Sequence, residues 1–418
     1  MAKLTLDKIS DLRGKRVLAR VDYNVPMAET NGVMVINDET RIQATIPTLR
    51  HLIGQGARII LTAHLGRPDG KPEPSMSLKP VADRLGEILG SPVSFASDCV
   101  GSPAEEAVEA LKDGQVLLLE NVRFHAEEEA NDSGFATKLA SLADVYVNDA
   151  FGAAHRAHAS TAGVAEVLKS QGKPCAAGFL MEKELKFLGD ELESPESPFV
   201  VILGGAKVSD KIKVIDRLLE KADTIMIGGA MAYTFRLALG HKVGMSLVEP
   251  DKTDIALAAL DKAAKNNVSF VLPDDNIIAD PVKTDKLNKK GKPVMEFQNP
   301  RVNDSLDIPD QSEGFDIGPK SVEKYSQIIR GAKTILWNGP MGMFEDERFA
   351  KGSFAVAQAV VDATATGAKS IIGGGDSVKA LNKAGLSDKI TFASTGGGAS
   401  LEFLEGKELP GVSALTDA

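Results

Sequence analysis

Four short apolar runs in the first half of the chain are each followed by polar or charged side chains that could bind an anion. The runs and the residues after them are 17–21 with Asp22 and Asn24, 59–61 with His64 and Arg67, 116–119 with Arg123, and 145–147 with Arg156. A single arginine or histidine after a strand is usually a solvated loop residue. Four such clusters at equivalent positions instead indicate a shared cationic site.

Glycine-rich segments follow most of the apolar runs in the second half. They are Gly204-Gly205-Ala206-Lys207, Gly228-Gly229, Gly339-Pro340, Gly373-Gly374-Gly375-Asp376 and Gly396-Gly397-Gly398, whereas the run 270–272 enters Pro273-Asp274-Asp275. Glycine lets backbone N–H groups approach phosphate oxygens closely, and a following helix adds its N-terminal dipole. One half therefore offers charged side chains and the other offers exposed backbone N–H groups, which predicts two ligands that face each other.

These segments require strands and helices that alternate along the chain. Between the apolar runs lie helical patterns such as Ile42, Ile46, Leu49, Leu52 and Ile53, which recur at the spacing of one helix face. The alternation predicts parallel sheets covered by helices, with ligands bound where the ends of several strands converge. At 418 residues, the chain exceeds the size at which a single core stops growing. We therefore predict an α/β protein with two Rossmann-like parallel-sheet domains, joined by a helix and with a cleft between them.

Composition restricts the partners and the compartment. The net charge of −10 argues against nonspecific nucleic-acid binding. No apolar stretch approaches the roughly 20 residues that span a bilayer, and the first five residues do not resemble a secretory signal. Cys99 and Cys175 lie far apart and form no C-x-x-C motif, so they fit neither a disulfide framework nor a zinc site. We expect a cytoplasmic protein without nucleic-acid or membrane partners.

Two placements look unfavourable locally, that of Arg41 and that of the pair Lys207 and Lys211, and such conflicts tend to occur at functional sites. Arg41 is predicted at the start of a helix, where a cation opposes the dipole at a cost of roughly 0.3–1 kcal/mol unless an anion lies nearby. Lys207 and Lys211 are four residues apart at the start of another helix and repel each other, unless both point into water and Asp210 offsets them. Asp376 lies among phosphate-type turns, where it either holds Mg²⁺ beside a nucleotide or caps the helix. The residues alone leave these alternatives open.

The chain lacks two common nucleotide-binding fingerprints, G-x-x-x-x-G-K-[ST] and G-x-G-x-x-G. Two other classes of protein share the predicted architecture. A non-catalytic two-domain binding protein would also have a cleft, but it would not need Arg41, Lys211 and an Asp376 metal site to converge on one phosphate. A nicotinamide-dependent oxidoreductase is disfavoured by the missing dinucleotide fingerprint.

Longer segments resemble those of phosphoglycerate kinases. In the first half they are Arg20-Val21-Asp22-Tyr23-Asn24-Val25-Pro26, His64-Leu65-Gly66-Arg67-Pro68, Glu120-Asn121-Val122-Arg123-Phe124-His125, Asn148-Asp149-Ala150-Phe151-Gly152 and His155-Arg156-Ala157-His158. In the second half they are Gly204-Gly205-Ala206-Lys207-Val208-Ser209-Asp210-Lys211, Trp337-Asn338-Gly339-Pro340, Phe344-Glu345 and the two late glycine loops. The resemblance covers essentially the whole chain, in family order. It implies reversible phosphoryl transfer between 1,3-bisphosphoglycerate and MgADP, giving 3-phosphoglycerate and MgATP in glycolysis, by a monomeric enzyme.

The resemblance also implies a role for each matching residue. The phosphoglycerate ligands would be Asp22, Asn24, Arg41, His64, Arg67, Arg123 and Arg156. The nucleotide site would comprise Gly204, Lys207, Lys211, Gly228, Gly229, Gly314, Phe315, Asn338, Pro340, Glu345, Gly374, Gly375, Asp376 and Ser377, with Asp376 as the Mg²⁺ ligand. The catalytic groups would be Arg41, Lys211, Gly397 and Gly398. Many family members have leucine where this chain has Phe315.

The resemblance further implies a division of labour along the chain. Residues 1–180 would bind phosphoglycerate, 181–193 would form the interdomain helix, 194–395 would bind nucleotide, and 396–418 would form a hinge and a tail that returns to the N-terminal domain. Direct transfer would require both sites to meet, so we expect hinge closure about 181–193 and 394–400. We assign no general base to His64, His155 or His158, because the nucleophile is itself a carboxylate or a nucleotide phosphate.

Overall fold

The structure is a computed structural model that describes residues 2–30, 32–287, 291 and 293–418. The chain forms two compact units. Unit 1 consists of Met1–Gly189 and Lys407–Ala418, and unit 2 of Asp190–Gly406. None of the helices in the described ranges is both long and apolar enough to cross a bilayer.

Unit 1 is built on a six-stranded parallel sheet. The strands of this unit are β1 (Arg16–Val21), β2 (Met27–Thr30), β3 (Val33–Ile36), β4 (Arg58–Thr62), β5 (Val93–Ala96), β6 (Val116–Leu119), β7 (Val145–Asp149) and β8 (Cys175–Ala177). The sheet order is β5-β6-β4-β1-β7-β8, and β2 pairs with β3 as a small antiparallel hairpin. All neighbours in the large sheet are parallel, so the carboxyl ends of β1, β4, β6 and β7 lie at the same edge.

Helices cover this sheet. They are α1 (Thr40–Gly54), α2 (Lys79–Leu89), α3 (Ser102–Ala110), α4 (Ala126–Glu129), α5 (Ser133–Ser141), α6 (Val164–Ser170) and α7 (Phe179–Leu185). In α1 the predicted apolar face is confirmed, because Ile42, Ile46, Leu49 and Leu52 are all buried in the core of the unit. Each such side chain contributes about 1.5–3 kcal/mol of burial free energy, which fixes the helix and with it the position of Arg41.

Unit 2 contains a second six-stranded parallel sheet and a smaller antiparallel one. Its strands are β9 (Phe199–Leu203), β10 (Thr224–Ile227), β11 (Ser269–Val271), β12 (Asn276–Leu287), β13 (Pro293–Asn303), β14 (Glu313–Ile317), β15 (Thr334–Asn338), β16 (Lys369–Gly373) and β17 (Phe392–Ala393). The parallel sheet has the order β11-β10-β9-β15-β16-β17, and the antiparallel sheet has the order β13-β12-β14. The sequence analysis did not predict the antiparallel sheet. Much of β12 and β13 is polar and exposed, so neither strand reads as an apolar run.

Helices alternate with the strands of unit 2 along the chain. They are α8 (Glu191–Glu193), α9 (Ile212–Leu218), α10 (Met231–Ala238), α11 (Thr253–Lys265), α12 (Pro319–Arg330), α13 (Lys351–Ala365), α14 (Gly375–Lys383) and α15 (Gly398–Leu404). A π-helical segment, Lys186–Asp190, connects α7 to α8. The acidic segment after β11 has a structural role, since Asp275 accepts hydrogen bonds from the backbone N–H groups of Lys320 (3.0 Å) and Ser321 (2.8 Å) in the first turn of α12.

The final segment of the chain packs within unit 1. It contains α16 (Pro410–Ser413), where the Gly411 N–H donates to the Ala154 carbonyl at 2.9 Å. At the end of this segment, the Ala418 N–H donates to the Ala2 carbonyl at 3.0 Å. Unit 1 is therefore formed by two segments of the chain, one before and one after residues 190–406 in the sequence.

Candidate active site

The loop after β1 carries Asp22 and Asn24, and Arg41 reaches this loop from the first turn of α1. Nη1 of Arg41 lies 2.9 Å from both carboxylate oxygens of Asp22, and it donates to the Asn24 carbonyl at 3.3 Å. The Asp22 side chain is 9% exposed and that of Arg41 is 33% exposed. The carboxylate thus offsets the unfavourable position of Arg41 at the helix N-terminus, and part of the guanidinium remains accessible to an anion.

His64 follows β4 and is buried beside Arg20. Nη2 of Arg20 lies 3.0 Å from Nδ1 of His64. Burial, and then the positive charges of Arg20, Arg123 and Arg41, hold the pKa of His64 well below its usual value of 6.5. The ring is therefore neutral at neutral pH. Because a guanidinium can only donate, Nδ1 accepts and Nε2 carries the proton, so His64 can donate one hydrogen bond to an anionic ligand.

The guanidinium groups of Arg123, Arg67 and Arg156 differ in whether they already have hydrogen-bond or ion-pair partners within the protein. Nη1 of Arg123 donates to the Gly66 carbonyl at 2.9 Å, and its Nε lies 3.2 Å from Oε1 of Glu129. Arg67 and Arg156 are exposed, and within the described ranges neither guanidinium has a hydrogen-bond or ion-pair partner. These two arginines therefore keep their bidentate donors free for a phosphate or a carboxylate.

The charges of this cluster act on one another, which indicates that most of the predicted cations lie close together. Burial, and then the charges of Arg123, Arg20 and Arg156, lower the pKa of His158 to about 4. Burial likewise lowers the pKa of Arg123, with Arg20 and Arg156 adding to the effect. Among the residues that the structure describes, no contact joins Arg67 to the others, although it follows Gly66 directly. Such an excess of positive charge favours an anionic ligand.

The glycines after β9, β10 and β15 pack the loops of unit 2 tightly against one another. A Cβ on Gly204 would lie 2.0 Å from the Pro340 carbonyl oxygen, and one on Gly228 would lie 2.4 Å from Sδ of Met341. The Gly204 N–H donates to the Asn338 carbonyl, that of Gly228 to Leu203, and that of Gly229 to Met341. The prediction that these glycines offer exposed N–H groups is therefore wrong, because neighbouring loops already accept those bonds.

The loops after β16 and β17 are more open. A Cβ added to Gly375, Gly397 or Gly398 would meet no atom within 4 Å, whereas one on Gly374 would lie 3.2 Å from Oδ1 of Asn338. Gly374 has a φ of +83° and precedes α14, and Gly397 has a φ of +54° and precedes α15. Backbone in this left-handed region favours glycine, so a ligand can approach both loops closely without meeting side chains.

Lys211 is held between α9 and the end of β15. Its Nζ donates to the Asn338 carbonyl at 2.7 Å and also contacts Oδ1 of Asn338. Burial lowers the pKa of Lys211 to about 8, and the charges of Asp210 and Asp376 oppose this shift. Lys207 is exposed and precedes the helix, which begins at Ile212. The prediction that both lysines lie at the start of a helix is therefore wrong for Lys207.

Asp376 and Ser377 occupy different environments in the first turn of α14. Asp376 is exposed and pairs with Lys379 at 3.0 Å. Ser377 is buried, and its Oγ accepts the Gly339 N–H at 2.5 Å. The cap position of α14 belongs to Gly374, with no side-chain cap. Asp376 is thus the accessible carboxylate of this loop, and Ser377 joins the loops after β15 and β16.

Phe315, which the resemblance assigns to the nucleotide site, belongs to an aromatic cluster. The Phe315 ring stacks on Phe349 with centroids 4.5 Å apart, and it contacts Phe297 at 4.4 Å. Gly314 fits against Tyr233, since an added Cβ would lie 2.1 Å from its hydroxyl oxygen. Asn338 is buried, Pro340 is partly exposed and Glu345 is exposed.

The chain was compared with known proteins. Residues 6–407 match the family described as phosphoglycerate kinase. The chain belongs to the phosphoglycerate kinase family. It is 53% identical over 417 residues to the phosphoglycerate kinase of Chlorobaculum tepidum and 55% identical over 423 residues to that of Acidobacterium capsulatum, with both chains covered completely in each case. The solved phosphoglycerate kinase of Coxiella burnetii has a TM-score of 0.82 and 40% identity, covering 99% of this chain and 98% of that one.

A buried polar network in unit 1 includes residues to which the sequence motifs assign no role. Nε of Arg20 donates to the Ser160 hydroxyl at 2.9 Å, and that hydroxyl donates to Oε1 of Glu128 at 2.6 Å. The Ser160 N–H also donates to the Glu128 carboxylate at 2.8 Å. The network holds the guanidinium that orients His64. The sequence did offer a signal for Arg20, because it is a charged residue inside the apolar run 17–21. It offered none for Glu128, which lies among other glutamates.

Proposed function

We propose that the chain catalyses reversible, Mg²⁺-dependent phosphoryl transfer between 1,3-bisphosphoglycerate and ADP, giving 3-phosphoglycerate and ATP. The observation that carries the proposal is the cationic cluster at the carboxyl edge of the first sheet. There Arg41 keeps an accessible guanidinium, and no described residue accepts a hydrogen bond from the guanidinium of Arg156 or Arg67. Family membership supports the same reaction.

Unit 1 would bind the phosphoglycerate. The guanidinium groups of Arg67 and Arg156 suit a phosphate, because each can donate two parallel hydrogen bonds. Neutral His64 would donate from Nε2, whereas the Asp22 carboxylate and the Asn24 side chain can accept from a substrate hydroxyl. Asn24 Oδ1 already accepts the Gly66 N–H at 2.9 Å, which orients its amide group.

Unit 2 would bind the nucleotide. The open glycine loops after β16 and β17 would receive the phosphates, and the wall formed by Gly314 and Phe315 would lie against the base. Glu345 would bind the ribose. A nucleotide-bound Mg²⁺ usually takes one or two carboxylates together with phosphate oxygens, and the exposed Asp376 fits that requirement. When bound, Mg²⁺ would neutralise charge on the phosphates.

Transfer needs alignment and charge stabilisation rather than a base, because the attacking oxygen is already anionic. Arg41 and Lys211 would neutralise charge that develops on the moving phosphoryl group, with the N–H groups of Gly397 and Gly398 beside them. Lys211 is suited to this role, since its buried ammonium is poorly solvated before the ligand arrives. We further propose that hinge motion at 181–193 and 394–400 brings the reacting groups together and excludes water.

ATP formation from 1,3-bisphosphoglycerate and ADP tests the proposal, with Arg41→Ala and Lys211→Met compared with the wild-type chain. Binding of 3-phosphoglycerate and of MgADP is measured alongside by calorimetry. We expect both ligands to bind and transfer to be lost in each variant. Wild-type protein that binds both ligands without turnover would instead be a non-catalytic binding protein, and unchanged transfer in both variants would refute the assigned roles.

Small-angle scattering tests the hinge. We expect the radius of gyration to fall when both substrates are present and to change less with either one alone. An unchanged radius in the ternary complex would refute closure while leaving the transfer assay unaffected.

A further inference from the structure

A group of potential metal ligands lies in unit 1, and no role in the proposed reaction is assigned to it. Asp98, Cys99 and His125 each present one donor atom, and these atoms lie within 4.8 Å of one another. Nε2 of His125 is 2.7 Å from Oδ1 of Asp98. Cys99 is buried, whereas the side chains of His125 and Asp98 are 28% and 40% exposed. Two of the three ligands are therefore accessible to a dissolved ion, whereas the sulfur lies beneath the surface.

The topology explains why these residues meet. Asp98 and Cys99 follow β5, and His125 follows β6 after the short 3₁₀ turn Val122–Phe124. These two strands are parallel neighbours, so the segments beyond their carboxyl ends lie side by side. A ligand set that is split between two loops needs no C-x-x-C spacing, which is why the sequence pattern did not reveal it.

The donor types select the ion. Thiolate and imidazole are preferred ligands of Zn²⁺ and related transition metals, whereas Mg²⁺ prefers oxygen ligands alone. In a tetrahedral zinc site the donor atoms lie about 3.5 Å apart, as follows from Zn–S and Zn–N distances of about 2.3 and 2.0 Å. Donor atoms that are up to 4.8 Å apart would have to approach by about 1 Å, and Nε2 of His125 and Oδ1 of Asp98, now 2.7 Å apart, would have to separate. Rotation of the partly exposed Asp98 and His125 side chains would make both adjustments.

We propose that Asp98, Cys99 and His125 bind a divalent transition-metal ion of the zinc type, with a fourth position open to water. The Asp98 carboxylate places an anionic oxygen among the three donor atoms, which favours a cation. Ion binding would replace the thiol proton, which passes to solvent, and the sulfur would coordinate as a thiolate.

The test uses the full chain, freed of metal with a chelator and kept reduced, and Co²⁺ as the probe. We expect one Co²⁺ to bind per chain with a strong near-ultraviolet thiolate-to-cobalt absorption. Equimolar Zn²⁺ should displace it, and excess Mg²⁺ should not. Cys99→Ala should abolish the absorption, while His125→Gln should weaken binding on the order of 100-fold or more, since even a supporting residue of a metal site can contribute that much.

Cys175→Ala is the matched control, because Cys175 is the other buried free thiol of the chain. It should bind Co²⁺ as the wild type does. Circular dichroism and thermal unfolding accompany each variant, and His125→Gln decides the matter if Cys99→Ala does not fold, since glutamine can still donate to Asp98. Absence of the absorption in the wild type, its persistence in Cys99→Ala, or unchanged affinity in His125→Gln would each overturn the proposal.

Discussion

Replacement of Lys211 by methionine is expected to stabilise the fold and to stop phosphoryl transfer. Burial lowers the pKa of Lys211 from its usual 10.5 to about 8. This difference corresponds to about 3 kcal/mol, at about 1.4 kcal/mol for each pH unit, and it is an upper estimate of what the folded chain loses at neutral pH by burying the ammonium. Methionine is similarly long and flexible but carries no charge.

The lost hydrogen bond offsets part of that gain. Nζ of Lys211 donates to the Asn338 carbonyl at 2.7 Å and also contacts Oδ1 of Asn338. In the variant the carbonyl keeps the Gly204 N–H, whereas Oδ1 loses its contact with Nζ, and an unpaired buried acceptor costs about 1–2 kcal/mol. We therefore expect the free energy of unfolding to rise by about 1–2 kcal/mol at pH 7, measured by urea denaturation. Lys207→Met is the control, because that side chain is exposed and its loss should change stability by less than about 0.5 kcal/mol.

The pH dependence separates the burial of charge from other causes of stabilisation. Between pH 8 and 10.5 the unfolded chain retains the Lys211 proton that the folded chain has lost, so wild-type stability should rise with pH relative to the variant. The advantage of Lys211→Met should therefore disappear by about pH 10. A variant that is less stable than the wild type at pH 7, or that keeps the same advantage at pH 10, would refute the reasoning.

Three further perturbations follow from the geometry. Arg41→Ala should lower the rate of ATP formation on the order of 10³-fold, by analogy with other arginines that stabilise a transferring phosphoryl group, and a rate within tenfold of the wild type would contradict its role. The pKa of His158 is lowered to about 4, so as the pH falls the unfolded chain binds a proton before the folded chain does, and the free energy of unfolding should decrease from pH 6.5 towards pH 4. His158→Gln should flatten that part of the stability profile measured by urea unfolding. An unchanged slope would count against the assignment. Gly204→Ala places a Cβ 2.0 Å from the Pro340 carbonyl oxygen and should lower the free energy of unfolding, measured in urea, by roughly 1–3 kcal/mol. Gly375→Ala, with open space around its Cβ, should change it by less than about 1 kcal/mol. Equal effects would refute the packing argument.

The sequence contained most of the information about the two parallel sheets. Strands β1 and β9 are buried along most or all of their length, so β9 appears as a continuous apolar run and 17–21 as one interrupted by Arg20. The Ile42 to Leu52 face of α1 shows the helical period directly. The hairpin of β12 and β13 could not be predicted in this way. Its residues are largely exposed, and its pairing depends on bulged registers that no local period encodes.

The ends of the apolar runs also predicted where the candidate site residues lie along the strands. They did not predict how buried these residues are or which groups they contact. Asp22, His64 and Arg123 do lie beyond β1, β4 and β6, and their functional roles stay predictions. The sequence could not predict how the protein shifts the pKa of each group. The neutral ring of His64 depends on burial and on Arg20, which is 44 residues away in the chain. Burial lowers the pKa of Lys211, whose Nζ contacts Asn338, 127 residues away.

The short distance between the chain ends has a consequence for how the fold can be assembled. Because Ala418 bonds to Ala2, a brief linker would suffice to fuse the ends, and new ends could then be opened elsewhere. During synthesis, residues 190–406 emerge complete before the last piece of the other unit is available. A circularly permuted chain that starts at Asp190 would still deliver residues 190–406 first, but it would let the ribosome deliver the discontinuous unit as one uninterrupted stretch.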